Sequence, residues 1–119
     1  MKVNDINNIS VQFSPEFEKQ LYKLSKRYRK IRDDIEPVIL QLQQGEIIGD
    51  RLVGLGEEYQ VYKVSVKNSN IQKGKSAGYR LIYYLQTADS IILLTVYSKS
   101  DQEDIGVVRV REIIEQVME

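Results

Sequence analysis

The chain has 119 residues, and its 17 basic and 17 acidic side chains give a formal net charge of zero at pH 7. It contains no cysteine, histidine or tryptophan, which excludes disulfides, thiol nucleophiles, zinc-finger sites and histidine general bases. Its length predicts one domain over residues 1–119, and any catalysis has to use lysine, arginine, tyrosine or carboxylate groups, with no metal or other cofactor expected.

The first predicted elements are a strand and the start of a helix. Apolar and polar residues alternate from Ile9 to Phe13, which is typical of a half-buried strand. Ser14 and Pro15 follow. Serine is a favoured helix cap and proline is tolerated at the first helical position, so the sequence predicts that a helix begins here.

A helical hairpin is predicted next, because apolar residues recur at intervals of three and four up to residue 42. We expect helices over about residues 15–30 and 34–44. Asp33 or Asp34 would cap the second helix. Pro37 would then lie in the first turn, where it breaks no intrahelical hydrogen bond.

Three strand-like runs rich in valine, isoleucine, leucine and tyrosine come after the hairpin. They cover Tyr59 to Val66, Tyr79 to Gln86 and Ile91 to Ser98. A last helix is predicted from Glu103 to Met118, starting near Asp101. This order of elements predicts an α+β fold in which the helices pack on one face of an antiparallel sheet.

The other sheet face is expected to be basic, because side chains alternate along a strand. If the strands pair in sequence order, this face carries Lys63, Lys67, Arg80 and Lys99. Residues 59–100 hold six basic side chains and one acidic side chain, a net +5, whereas the segment from residue 101 onward holds two basic and six acidic side chains. The zero total therefore conceals a local basic region.

This basic region predicts a nucleic-acid partner. Tyr79, Tyr84 and Tyr97 accompany its cations and could stack on bases. A simpler interpretation is that the lysines keep a small sheet soluble while the tyrosines fill its core. The scarcity of acids argues against this alternative, since a solvated face usually mixes charges of both signs.

An acidic run follows the last strand, with Asp101, Glu103 and Asp104 close after Lys99. The preferred interpretation is that these acids cap the last helix and complement its dipole. Alternatively, they could orient Lys99 or repel wrongly placed phosphates.

RNA can be cleaved through attack by its own 2′-hydroxyl, a reaction that requires a base, a group that stabilises the phosphate, and a proton donor. Without histidine, the base could be a lysine whose pKa is lowered by neighbouring cations. Arg80 has the planar fork that suits phosphate. Tyr97 and Lys99 are candidate proton donors or orienting groups, and whether a lysine or Tyr97 is the base stays open.

The stretches Val61–Val64, Gly78–Tyr84 and Leu93–Lys99, together with the helical hairpin, resemble the RelE/ParE superfamily of toxins from type II toxin–antitoxin systems. The likeness is greater to the RelE and HigB-like branch, and the Gly78-Tyr79-Arg80 motif is its most specific part. It covers about residues 11–117. The resemblance implies a cytoplasmic toxin with a RelE-like fold that enters the ribosome, cuts messenger RNA and is silenced by a cognate antitoxin.

The resemblance also implies roles for individual residues. Lys63 matches a catalytic lysine, Arg80 matches a phosphate-stabilising arginine, and Lys99 lies where a basic residue follows the last strand. The side chains expected to contact the RNA backbone are Lys67, Lys73 and Lys75.

Two positions depart from the family pattern. Ser65 stands where members often carry a second lysine, and no tyrosine or histidine lies near Ile105, so Tyr97 would act in its place. Two alternatives remain: a ParE-like inhibitor of DNA gyrase that cuts no RNA, and a non-catalytic module that only binds its antitoxin.

Overall fold

A computed structural model describes residues 9–71 and 77–118. In chain order its elements are β1 (Ser10–Phe13), α1 (Pro15–Arg27), α2 (Ile31–Gln43), β2 (Asp50–Arg51), β3 (Val61–Val66), β4 (Tyr79–Thr87), β5 (Ser90–Ser98) and α3 (Val107–Met118). The strands form a five-stranded sheet in the order β1-β5-β4-β3-β2. The predicted α+β fold is therefore confirmed. The sheet is mixed rather than antiparallel throughout, because β1 pairs with β5 in parallel, and the short β2 was not predicted.

The start of α1 is built as the sequence predicts. The Ser14 hydroxyl accepts a hydrogen bond from the Phe17 backbone N–H at 3.0 Å, and Pro15 is the first helical residue. The same hydroxyl donates to the Leu94 carbonyl at 2.8 Å. The cap therefore ties the helix start to β5, an inner strand of the sheet.

The start of α2 differs from the prediction. The helix begins at Ile31 with no side-chain cap, so that Pro37 lies inside it, and the expected aspartate cap is wrong. The N–H of the preceding residue, Lys30, donates to the Asn70 side chain in the turn after β3 at 3.1 Å. Asp34 instead accepts from the Ser69 N–H at 2.9 Å.

Both helices of the hairpin pack on one side of the sheet, which we call the first face. The buried side chains of this core are Phe17, Leu21, Leu24, Ile31, Ile35, Val38, Leu42, Val64, Val66, Tyr79, Leu81, Tyr83, Ile91, Leu93 and Val96. They form the larger of the two apolar clusters in the described part of the chain.

The last helix packs on the opposite side, the second face, so the expectation that all helices share one face is wrong. Val110, Ile113 and Ile114 of α3 contact a second apolar cluster that includes Ile82 and Leu94. The central strands β4 and β5 bury residues on both faces, and such strands need cover on both sides. None of the helices in residues 9–71 and 77–118 is long and apolar enough to cross a membrane.

Candidate functional site on the second face

The second face has an end that α3 does not cover, which we call the open half and define by Lys63, Ser65, Arg80 and Tyr97. Ser65 is exposed, and Lys63 and Arg80 are half-buried. Tyr97 is buried at the border with the apolar cluster under α3. Strands β3, β4 and β5 pair in sequence order, as the alternation argument requires. The register places Ser65 opposite Arg80 and Arg80 opposite Tyr97, so these three residues form one row across the sheet.

Gly78 sets the position of this row, because it precedes β4 where the strand leaves β3. A Cβ atom at this residue would lie 2.1 Å from the Val66 carbonyl oxygen and 3.0 Å from the Asn68 backbone nitrogen. Neither backbone atom can move away without disturbing the ladder. Only glycine therefore allows the close approach that brings Arg80 next to β3.

An acidic side chain also lies on the open half. Asp104 Oδ1 lies 3.2 Å from Lys63 Nζ and accepts a hydrogen bond from the Tyr97 hydroxyl at 3.2 Å. The Ile105 backbone N–H donates to the same oxygen at 2.8 Å. Lys63, Tyr97 and Asp104 are thus joined through a single carboxylate oxygen.

The preferred interpretation of the acidic run is therefore wrong. Helix α3 begins at Val107 and has no acid in its first turn, later than the predicted start near Asp101. Asp101 forms an ion pair with Arg27 of α1, and Asp104 contacts the sheet. These long-range partners belong to a turn and an irregular segment where the sequence predicted a helix.

Tyr97 is protonated at neutral pH. Its side chain is only 6% exposed, and burial, with further contributions from Asp104, raises its pKa to about 12, although Arg80 acts in the opposite direction. A phenol in this state can donate a proton but does not accept one. Of the two bases that the sequence left open, the structure disfavours Tyr97.

Lys63 has a different electrical environment from the one predicted. The sequence argument needed neighbouring cations, whereas the charged group in contact with its ammonium is the carboxylate of Asp104. The ion pair holds the Lys63 side chain on the open half, where its ammonium can contact a phosphate as a point charge.

The remaining cations lie around this centre or outside the described residues. Arg80 Nη1 donates to the Tyr79 carbonyl at 3.2 Å. The positive charge of Arg80 acts to lower the pKa of Tyr97. Lys67 is exposed immediately after β3, and Lys99 is half-buried two residues after Tyr97. Lys73 and Lys75 fall within residues 72–76, outside the described part of the chain.

The expectation that three tyrosines could stack on bases is wrong, because all three rings are buried. Tyr97, 6% exposed, belongs to the second apolar cluster. Tyr79 is fully buried in the first core, where its ring meets that of Tyr28 edge to face. Tyr84 is 5% exposed in the second cluster, where it meets Tyr59 in the same way. Both rings serve packing.

A mixed sheet with a helical hairpin on one face and a partly open second face is consistent with a RelE/ParE-like toxin. The family model described as "ParE toxin of type II toxin-antitoxin system, parDE" matches residues 11–103. The chain belongs to this family of type II toxin–antitoxin toxins. Membership implies a cognate protein antitoxin as partner. No curated protein and no solved structure matches the chain significantly.

Proposed function

We propose that this toxin acts in the cytoplasm as a metal-independent endoribonuclease that cuts messenger RNA on the ribosome. The observation that carries the proposal is the grouping of Lys63, Arg80 and Tyr97 on the open half of the second face. Arg80 lies opposite Tyr97 in the sheet, and Lys63 contacts the carboxylate that also bonds Tyr97. Two cations and a proton donor therefore lie close together. Ribosome dependence is proposed from the resemblance to the RelE and HigB-like branch.

Each of these side chains suits one part of the reaction. The guanidinium of Arg80 is a permanent cation with a planar fork, which stabilises the extra negative charge of a pentacoordinate phosphate. The protonated Tyr97 can donate to the leaving 5′-oxygen. Lys63 and the exposed Lys67 would hold the RNA backbone, together with Lys99, Lys73 and Lys75.

A second candidate is a toxin that binds and inhibits DNA gyrase without cutting RNA. The match to a family named after ParE favours it. So does the ion pair of Lys63 with Asp104, since it neutralises part of the charge that RNA would meet. Binding to a protein partner does not require this surface to be as positively charged as binding to RNA does.

The test uses the purified toxin in a translation extract, with the 5′ ends of a translated message mapped over time. Arg80→Ala should slow cutting about 100-fold or more, the usual effect of losing a group that stabilises a transition state. Arg29→Ala removes the same charge from the exposed turn between α1 and α2 and should cut at the rate of the unmodified protein.

The outcome separates the candidates. Cuts in phase with codons that depend on Arg80 support the nuclease. Inhibition of purified gyrase with intact messages overturns it in favour of the second candidate. A protein that binds its antitoxin but shows neither activity overturns both.

A further inference from the structure

We propose that Asp104 is the catalytic base that takes the proton from the attacking 2′-hydroxyl of the RNA. This inference rests on the proposed RNA cleavage and adds the residue that the sequence did not identify. Asp104 lies one position beyond the segment that matches the toxin family. Its contacts with Lys63 and Tyr97 place it among the candidate catalytic side chains of the open half.

The two carboxylate oxygens of Asp104 have different surroundings. All three hydrogen bonds, from Lys63, Tyr97 and the Ile105 backbone, end on Oδ1. Within residues 9–71 and 77–118 the structure gives Oδ2 no hydrogen-bond partner, and the side chain is 60% exposed. One oxygen is therefore fixed by the protein, while the other can accept a proton from a bound ligand.

The neighbouring side chains are poor proton acceptors. Arg80 does not lose its proton in proteins, Tyr97 donates to Asp104, and Lys63 donates to the same carboxylate. Asp50 lies opposite Lys63 in the register of β2 and β3. It is two strands away from Arg80 in the sheet order. Asp104 is the carboxylate that contacts the proposed proton donor.

The proton balance of the reaction follows from the hydrogen bond between Tyr97 and Asp104. Asp104 takes the 2′-proton as the 2′-oxygen bonds to phosphorus, and the bond from phosphorus to the 5′-oxygen breaks. Tyr97 gives its proton to that 5′-oxygen. The phenolate then recovers a proton from the Asp104 carboxyl, which restores both residues and leaves a 2′,3′-cyclic phosphate and a 5′-hydroxyl.

The pH dependence distinguishes this base from a lysine. The Ile105 backbone N–H, followed by the contacts with Lys63 and Tyr97, holds the pKa of Asp104 below its ordinary value. Asp104 is therefore ionised throughout the neutral range, and the rate should be flat from about pH 6 to 9. A lysine base would raise the rate about tenfold per pH unit there, because its ordinary pKa is about 10.4.

The experiment measures cleavage of a ribosome-bound message by the full-length toxin, as the initial rate at saturating toxin. Asp104→Asn should lower this rate about 100-fold or more, whereas Asp50→Asn, the same chemical change on the same face, should leave it unchanged. Asp104→Glu, which keeps a carboxylate, should recover part of the loss. The pH profile of the unmodified protein is a second measurement that needs no variant.

Each outcome decides between distinct conclusions. Undiminished or faster cutting by Asp104→Asn, or a rate that rises tenfold per pH unit, overturns the inference and leaves the nuclease in place. Asp104 would then only neutralise Lys63. If the unmodified toxin cuts no message, the proposed function fails and the role of Asp104 fails with it.

Discussion

The two faces of the sheet are made by the same strands, yet they differ in what covers them. Both α1 and α2 pack on the first face, whereas α3 covers only part of the second. Along β4, Leu81 enters the first core while its neighbours Arg80 and Ile82 lie on the second face. Burying Lys63 or Arg80 under a helix would remove charge from water at a high cost. The open half therefore begins where the strands change from apolar to basic residues.

The largest expected effect is a difference in stability between truncations in the core of the first face and truncations in the core of the second face. Phe17 is fully buried between α1 and the sheet, and Phe17→Ala should lower the free energy of unfolding by about 3–5 kcal/mol. Ile113 is buried under α3, but this helix covers less of the sheet and can shift to fill a cavity. We expect Ile113→Ala to cost about 2 kcal/mol, near the lower end for such changes.

Urea unfolding with a constant slope measures both variants. An equal or reversed order would mean that α3 is as important to stability as the hairpin. The contrast between the faces would then concern charge alone.

A smaller difference in stability is expected between the loss of a tyrosine hydroxyl on the first face and the loss of one on the second face. On the first face, the Tyr83 hydroxyl donates to the Ile48 carbonyl at 2.7 Å and accepts from the Ile48 N–H at 3.0 Å. Tyr83→Phe leaves both backbone groups without a partner and should cost about 1–2 kcal/mol. Tyr97 bonds an exposed carboxylate that water can solvate, so Tyr97→Phe should cost less than about 1 kcal/mol.

The effects on RNA cleavage should be reversed. Tyr97→Phe should lose most of the rate and Tyr83→Phe should keep it, with thermal unfolding and mapped 5′ ends as the two measurements. Equal activity of the two variants would remove Tyr97 from the proposed reaction.

The parts of the fold that follow local patterns were predictable. Ser14 and Pro15 indicated the start of α1, and runs rich in valine, isoleucine, leucine and tyrosine indicated the three strands that pair in sequence order. The parallel pairing of β1, the early start of α2 and the face chosen by α3 were not predictable. Each depends on a distant partner, such as Asn70 at the start of α2, which no local spacing reveals.

The candidate site divides in the same way. Alternation along neighbouring strands was enough to place Lys63 and Arg80 on one face. The sequence showed the acidic run but did not indicate that Asp104 contacts the candidate site. The path of the chain after β5 is set by contacts with Arg27 and the sheet. An acid five residues after Lys99, on the segment that leaves the strand carrying Tyr97, is the signal that could have suggested this contact.

The smallest expected effect concerns the ion pair of the open half. Lys63 is 27% exposed and Asp104 60% exposed, and pairs of this kind contribute about 0–1 kcal/mol. Lys63→Gln should therefore change the free energy of unfolding by less than about 1 kcal/mol, and salt should reduce even this difference. Urea unfolding of both proteins at low and high salt measures it. A loss above about 2 kcal/mol would mean that this contact holds the segment after β5 on the sheet, in which case the open half would be structural like the first face.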